Sequence, residues 1–199
     1  AGMGAYNNNG YLVVDPKTRE TYLVDAPDNV ERMLAEAKGL DLKGVVITHT
    51  HPDHVAGYDT LKRLTGLPVA IHQADQERVA WSPDITLTHQ SVLSIGTNKI
   101  RIMHTPGHTS GGLCLVLDGV LLSGDTLFPG GPGRTDSPVA FRQLVDSITT
   151  HLLVLPPETL VLPGHGADTT IETSQAEYAT FASKPHPEDL HHHVSWLTS

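Results

Sequence analysis

Three histidines and an aspartate are concentrated in one short segment of the chain, THTHPDHVAG at residues 48–57. His49, His51, Asp53 and His54 offer imidazole nitrogens and a carboxylate, which are ligand types that zinc and other transition metals prefer in proteins. Four ligand-type side chains within six positions are hard to explain by packing or solubility alone. The segment therefore predicts a metal site.

The spacing within this segment shows how it can present ligands in two directions. His49 and His51 are two residues apart, so an extended chain points both side chains to the same side. Pro52 disfavours helical backbone at the residue before it and can itself begin a helix. Asp53 and His54 would then lie in the first helical turn, where the helix dipole favours a negative charge.

Three further candidate ligands each follow a predicted strand. His108 follows IRIMHTPG, Asp125 follows VLLSG and His165 follows LVLPG. Each of them alone would be explained as well by a structural role. Loops at the ends of strands, however, are where functional sites are usually built. Because all three share this context, we expect them to join the histidine-rich segment.

The remaining histidines are given other roles. Four are interpreted as structural or surface residues, with a position beside the ligands left open for His104: His72, His89, His104 and His151. The run His191–His193 lies in a polar segment and is excluded from the predicted site.

The elements that must position these residues fall into two groups of strands with helices in both halves. The pattern predicts a β-hairpin over 10–26, helices over 27–39 and 54–66, buried strands over 43–50 and 67–72, and a short helix over 73–81. Four strands between 85 and 124, a Gly/Pro loop over 126–138, a helix over 139–153, a strand at 159–163 and a helix over 173–183 follow. This order predicts an α/β fold with two packed mixed sheets and helices outside them.

Bulk composition limits the function classes. A chain of 199 residues suits a single domain over 1–199, with an ordered core at about 5–183 and a loosely held tail at 184–199. A net charge of −9 without a Lys/Arg cluster disfavours nucleic acid and anionic membranes as partners. No apolar run reaches the ~20 residues of a membrane span, and AGMGAYNNNG lacks the regions of a signal peptide. The single cysteine, Cys114, excludes an intrachain disulfide and suits a reducing, cytoplasmic compartment.

Four segments together resemble the successive metal motifs of the metallo-β-lactamase superfamily. They are THTHPDHVAG, TPGHTSGG, SGDTLF and LPGHG, and they occur in the matching order. The resemblance covers roughly residues 7–182. It implies a four-layer αββα sandwich with a two-metal site at one edge of the sheets.

The resemblance also implies a role for each candidate ligand. The first metal would be held by three histidines: His49, His51 and His108. The second would be held by Asp53, His54 and His165. Asp125 would bridge both metals, and Asp25, in the motif VDAP, would lie beside the ligands. Zinc is the expected metal, with iron or manganese as alternatives.

Within the superfamily the chain looks like the glyoxalase II branch. Zinc β-lactamases of the best-known type have Cys where this chain has Asp125, and they lack the histidine at position 54. GRTD at 133–136 is similar to a motif of small glyoxalase II-like hydrolases and of persulfide dioxygenases, whereas PGHGADTTI favours the hydrolases. Arg134 of this motif would pair with an anionic group of the substrate.

Three functions follow from these features. The first is a hydrolase whose metal-bridging hydroxide cleaves a thioester, ester or lactone, with Asp53 orienting the hydroxide or handling its proton. The second is a mononuclear-iron persulfide dioxygenase that uses His49, His108 and Asp125. The third, a non-catalytic metal-binding domain, is disfavoured because structural sites are normally closed by four ligands. The substrate is expected to be a small molecule; its identity, any glutathione dependence and the oligomeric state are not readable from the sequence.

Overall fold

The first half of the chain forms one five-stranded sheet in the order β1-β2-β3-β4-β5. The computed structural model describes residues 2–199. The elements of this half are β1 (Tyr11–Val14), β2 (Glu20–Val24), α1 (Val30–Glu36), β3 (Asp41–Val46), α2 (Pro52–Val55), α3 (Tyr58–Thr65), β4 (Val69–His72), a 3₁₀ helix (Gln73–Arg78) and β5 (Ile85–Leu87). β1 and β2 form the predicted antiparallel hairpin, and β2 to β5 run parallel.

The second half forms a six-stranded sheet in the order β13-β12-β9-β8-β7-β6 and a small β10-β11 ribbon. Its elements are β6 (Val92–Ile95), β7 (Asn98–His104), β8 (Leu113–Leu117), β9 (Val120–Gly124), β10 (Leu127–Phe128), β11 (Gly131–Pro132), α4 (Pro138–Ser147), a π-helical turn (Ile148–Leu152), β12 (Leu160–Pro163), β13 (Thr169–Thr170) and α5 (Ile171–Ala182). β12 is parallel to β9, and the other neighbours are antiparallel. Among the described residues, no helix has the length and apolar character needed to cross a membrane.

Three apolar clusters join the sheets and helices into four layers. One cluster lies between the sheets and includes Val46, Ile100 and Leu115. A second packs α1 and α3 on the outer face of the first sheet, and a third packs α4 and α5 on the outer face of the second. The predicted αββα arrangement is confirmed.

Parallel strands bring the site segments to one edge of the sandwich. β2, β3 and β4 run in one direction, so the residues that follow them lie at the same edge. In the second sheet, β7, β9 and β12 also share a direction, because two antiparallel pairings connect β7 to β9 and one parallel pairing connects β9 to β12. The chain segments after these strands carry all of the predicted ligands.

Three local predictions are corrected. The helix predicted over 54–66 is two helices, Pro52–Val55 and Tyr58–Thr65, and Gly57 caps the second at a point where a side chain would collide with the Pro27 carbonyl and with Val30. Leu64 continues the helical spacing of Tyr58 and Leu61, which predicts an inward-facing side chain, but it is 51% exposed. The region 85–124, predicted to hold four strands, holds five, because Ile85–Leu87 is a separate strand that pairs with β4 in the first sheet.

The segment 184–199, expected to be a loosely held tail, is anchored to the fold. Trp196 is fully buried and Val194 nearly so, both in the apolar cluster beneath α4 and α5. The Trp196 amide donates to the Gly130 carbonyl at 2.8 Å, and His192 exchanges two backbone hydrogen bonds with Thr135. The sequence could not show this, because two apolar anchors in a polar stretch form no periodic pattern.

Trp196→Ala is expected to lower the free energy of unfolding by about 3–5 kcal/mol, since it deletes a fully buried aromatic side chain and leaves a cavity. Urea unfolding followed by circular dichroism measures the change. Leu197→Ala is the control: this neighbour is 53% exposed, and its effect should stay within about 0.5 kcal/mol. Equal effects of the two substitutions would contradict the anchoring role.

Candidate metal centre

The histidine-rich segment adopts the backbone that its sequence predicts. It follows β3, and His51 has extended backbone with φ −65° and ψ 147°. Pro52 is the first residue of α2, and Asp53 lies in its first turn. The segment thus changes from extended to helical between His51 and Pro52, which sends its ligand-type side chains in two directions.

One group of ring nitrogens converges from both sheets. His49, His51 and His108 have ligand atoms that all lie within 4.8 Å of one another. The Nδ1 atom of His51 is 2.9 Å from Nε2 of His108, and Nε2 of His49 is 3.2 Å from the same atom. Three imidazoles gathered around one point are a donor set suited to a transition metal.

A second group adjoins the first and contains a carboxylate. Asp53, His54 and His165 also have ligand atoms within 4.8 Å of one another. Nε2 of His165 lies 3.2 Å from Nε2 of His54 and 3.2 Å from Oδ2 of Asp53. The group has the mixed nitrogen and oxygen donors that zinc, iron and manganese accept.

Asp125 lies between the two groups. Its Oδ2 atom is 3.6 Å from Nε2 of His108 and 3.6 Å from Nε2 of His165. Its Oδ1 atom is 3.5 Å from Nε2 of His54, is buried, and has no hydrogen-bond partner among the described residues. A buried carboxylate oxygen without a donor is costly, so this atom fits a site that a cation completes. The seven residues present therefore fit two metal ions.

The outer nitrogens of three rings are fixed by oxygen acceptors. Nδ1 of His54 donates to Asp25 at 2.8 Å, that of His108 to the Arg134 carbonyl at 2.7 Å, and that of His165 to the Tyr6 carbonyl at 3.0 Å. Because Nδ1 donates to an oxygen outside the site, Nε2 is the nitrogen of each ring that faces the centre and would bind a metal.

Asp25 contacts His54 but belongs to none of the groups of converging ligand atoms. Besides His54, its carboxylate accepts the Thr48 amide at 2.6 Å and the Thr48 hydroxyl at 3.0 Å. Its backbone is left-handed, with φ 64°, which is uncommon for a residue other than glycine. Asp25 thereby links β2 to the segment after β3 and orients His54.

Burial lowers the histidine pKa values in the first ligand group, whereas nearby carboxylates raise that of His54 in the second. Burial lowers the pKa of His49 far below its usual value and that of His108 to about 4, so both rings are neutral near pH 7. Burial alone would also lower the pKa of His54, but Asp25, Asp125 and Asp53 raise it to about 9. Burial raises the pKa of Asp125 to about 6.

Asn8 is a site residue that the sequence did not reveal. Its side-chain amide donates to Oδ2 of Asp53 at 2.8 Å and lies 3.4 Å from Nε2 of His165. Burial raises the pKa of Asp53, but hydrogen bonds from His165 and Asn8 outweigh it and hold that pKa well below its usual range. Asn8 stands in NNNG, a composition that signals only a turn, so nothing in the sequence pointed to this contact.

Filling the second group with a metal is expected to release about one proton at pH 8. The raised pKa of His54, about 9, means that its Nε2 carries a proton at pH 8, and a metal must displace it. The first group should release almost none, because its rings are already neutral. Calorimetric titration in buffers of different ionisation enthalpy counts the protons. Release should vanish as the pH rises past 9; release that does not depend on pH would refute the assignment.

A cavity of about 470 Å³ opens onto the metal centre. His108, Asp125 and His165 form its floor, and its walls come from 128–134 and 193–195. The Arg134 side chain pairs with exposed Asp136 at 2.8 Å, at the rim of this cavity. His193, excluded from the predicted ligands, lines the cavity and belongs to neither ligand group.

The four histidines interpreted as structural or surface residues lie outside the two ligand groups within the described chain. His72 and His104 stack with ring centroids 3.8 Å apart, and His89 lies 4.8 Å from His151. Nε2 of His104 contacts the Ser110 carbonyl at 2.8 Å, so this ring supports the loop after His108.

Comparison with known proteins gives one family match and several close relatives. The family model described as the metallo-beta-lactamase superfamily matches residues 3–165. The chain is 34% identical over 164 residues to a hydroxyacylglutathione hydrolase of Maricaulis maris. That alignment covers 80% of this chain but 62% of the relative, so the chain spans less than two thirds of that enzyme.

Two solved structures have similar folds. ETHE1 from Myxococcus xanthus is 30% identical, with a TM-score of 0.76 over 88% of this chain and 80% of that one. TTHA1623, solved in a di-iron-bound form, is 29% identical, with a TM-score of 0.72 over 88% of this chain and 96% of that one.

Proposed function

The chain belongs to the metallo-β-lactamase superfamily, and from that premise we propose that it is a hydrolase that uses two divalent metal ions to cleave a thioester, or a related ester or lactone. The observation that carries this proposal is the pair of adjoining ligand groups with Asp125 between them, beside a cavity that Asp125 helps to line. A single metal would need only one of these groups. Similarity to a hydroxyacylglutathione hydrolase supports the thioester as substrate class.

The residues present define how the metal ions would be held. His49, His51 and His108 would take one ion, and Asp53, His54 and His165 the other, with Asp125 between them. When bound, two such ions supply Lewis acidity and make water a nucleophile near neutral pH. Zinc is the metal we propose first, and the di-iron form of a similar structure supports iron as the alternative.

Asp53 is the residue proposed to handle the proton of the attacking water. Its Oδ2 atom is held by Asn8 and His165, so the carboxylate has a fixed orientation at the edge of the cavity. Its lowered pKa keeps it ionised, so that neither carboxylate oxygen carries a proton and both can accept hydrogen bonds. Orienting a nucleophile in this way lowers the barrier by arranging the reactants before the reaction starts.

The cavity supports a small substrate with an apolar part. Phe128 and Val194 are among its lining residues, and Arg134 stands at its rim. Ligand cavities are typically apolar with a few polar groups that fix orientation. We propose that the acyl group lies in this cavity, with the reacting carbonyl over Asp125, and that Arg134 exchanges Asp136 for an anionic group of the substrate.

A second candidate function is the mononuclear-iron persulfide dioxygenase, which would use His49, His108 and Asp125. The segment GRTD at 133–136 supports this candidate, because it is similar to a motif of persulfide dioxygenases. Asp53, His54 and His165 favour the hydrolase, because they form a second complete group with converging atoms. We further propose a cytoplasmic protein with a small-molecule substrate and without nucleic acid or membrane partners, in line with the net charge of −9.

Removal of metal is expected to abolish hydrolysis of every substrate in a panel of acyl thioesters, carboxylic esters, lactones and β-lactams. The nucleophile depends on the metal ions: Cys114 is fully buried away from the cavity, and Ser195, which lines the cavity, has a hydroxyl oxygen that accepts the Leu197 amide at 3.3 Å. Activity of dialysed protein before and after addition of Zn²⁺ measures this. Thioester cleavage restored by Zn²⁺ supports a metal-dependent hydrolase, and cleavage that persists after chelation would contradict it.

A further inference from the structure

Asp75 is a buried carboxylate that plays no part in the site described above. It lies in the 3₁₀ helix Gln73–Arg78, which follows β4, and its side chain is 1% exposed. No lysine or arginine forms an ion pair with it among the described residues. A buried carboxylate without a cation must be stabilised by hydrogen-bond donors.

The first donors come from the segment that carries the first two histidines. Oδ2 of Asp75 accepts the Thr50 amide at 3.0 Å and the Thr50 hydroxyl at 3.0 Å. Thr50 stands between His49 and His51, so these two bonds hold the backbone that joins two predicted ligands.

The other donors come from the loop that carries the third histidine. Oδ2 also accepts the Thr109 hydroxyl at 3.2 Å, while Oδ1 accepts the Gly111 amide at 2.6 Å and the Ser110 hydroxyl at 3.2 Å. A side chain at Gly111 would collide with Asp75, its Cβ lying 2.6 Å from Cγ of that residue. The loop after His108 therefore packs directly against the Asp75 carboxylate.

We propose that Asp75 is a positioning residue, which holds the loops of His49, His51 and His108 at the separation that the first metal requires. The two loops follow β3 and β7, which belong to different sheets, so their spacing is not set by hydrogen bonds within one sheet. One carboxylate with five donors from both loops supplies that connection, beside one backbone hydrogen bond from the Leu113 amide to the Thr48 carbonyl at 2.8 Å. This inference rests on the metal-binding part of the proposed function and is independent of the substrate.

Only a carboxylate satisfies this arrangement. The donors reach both oxygens, and two of the donors are backbone amides that cannot be turned away. In Asp75→Asn, one of the two positions becomes an NH₂ group, which faces an amide hydrogen instead of accepting it. One loop must then move away from the other.

Asp75→Asn is expected to weaken metal binding by the first group about 10–100-fold, the range found when a partner that orients metal ligands is lost. Titration of metal-free protein with Co²⁺ measures both the affinity and the ligand-field spectrum, which reports coordination geometry. Urea unfolding of the metal-free protein measures stability separately. The weakened binding should come with an altered Co²⁺ spectrum, which a loss of stability alone would not cause.

Asp15→Asn is the matched control. Asp15 is also a buried carboxylate, 2% exposed, and accepts bonds from Lys17, Thr18 and Asn98. It follows β1, which is antiparallel to β2, so it lies at the edge of the sandwich opposite the metal centre. Asp15→Asn should lower stability and leave the Co²⁺ affinity and spectrum unchanged.

Equal Co²⁺ affinity and spectrum in wild type, Asp75→Asn and Asp15→Asn would overturn the inference, while wild-type protein that binds no Co²⁺ would overturn the proposed function as well. If Asp75→Asn does not fold, Thr109→Val decides, because it removes one donor from the His108 loop with little change in shape. Weaker binding with an altered spectrum in Thr109→Val supports the positioning role. Unchanged binding in that variant overturns it.

Discussion

Asp125→Ala is expected to bind neither metal ion tightly and to lose hydrolytic activity altogether. Its two carboxylate oxygens are directed at both ligand groups, at 3.5 Å from His54 and 3.6 Å from His108 and His165. Without them, the first group holds no carboxylate and the second keeps only that of Asp53, so too little negative charge remains to offset two dications. Metal content after gel filtration and turnover of a thioester measure the result.

His165→Ala is the companion variant for Asp125→Ala. His165 belongs to the second group alone, so this variant should keep the first ion and lose the second. Both variants should retain the wild-type circular dichroism spectrum, because both side chains lie at the edge of the sheets. An Asp125→Ala protein with two ions per chain and normal turnover would show that the bridging assignment is wrong.

Asp53→Asn is expected to reduce kcat by about 10²–10⁴-fold, the usual contribution of a positioned group that handles a proton. Asparagine keeps the size of the side chain but accepts at one oxygen only and carries no charge. It cannot take a proton from water, and it binds a metal more weakly. Steady-state kinetics at saturating metal separates loss of kcat from loss of the ion.

Asp136→Asn is the control for Asp53→Asn. Asp136 is an exposed carboxylate whose partner, Arg134, lies at the cavity rim. Its substitution should leave kcat within about twofold, because exposed ion pairs contribute little. A folded, metal-loaded Asp53→Asn enzyme with near-normal kcat would remove Asp53 from the proposed mechanism.

The sequence predicted the fold and the assembly of the ligand residues because both depend on local patterns. The apolar strands and the change from extended to helical backbone between His51 and Pro52 depend on neighbouring residues, so the local sequence predicts them. The order of the four motifs then identified the family, which the family match confirms. The role of each ligand residue stays a prediction until metal binding is measured.

The residues that the sequence missed act through long-range contacts. Asn8 meets Asp53 across 45 residues of chain, and Asp75 meets Gly111 across 36. Each is a common polar residue in an ordinary turn or short helix, so no local pattern distinguishes it. Trp196 was missed for the same reason, because its burial depends on a cluster formed by α4 and α5.

Oxygen dependence distinguishes the proposed two-metal hydrolase from a persulfide dioxygenase, because hydrolysis consumes water whereas persulfide oxidation must consume O₂. Protein loaded with metal should cleave a 2-hydroxyacyl thioester of glutathione, or another acyl thioester, at the same rate with and without oxygen. Metal content measured on the same sample should approach two ions per chain, as the two ligand groups require. With glutathione persulfide at an oxygen electrode, we expect no O₂ uptake. Rapid O₂ uptake by protein that holds one iron and cleaves no thioester, ester or lactone would contradict the two-metal hydrolase and establish the dioxygenase instead.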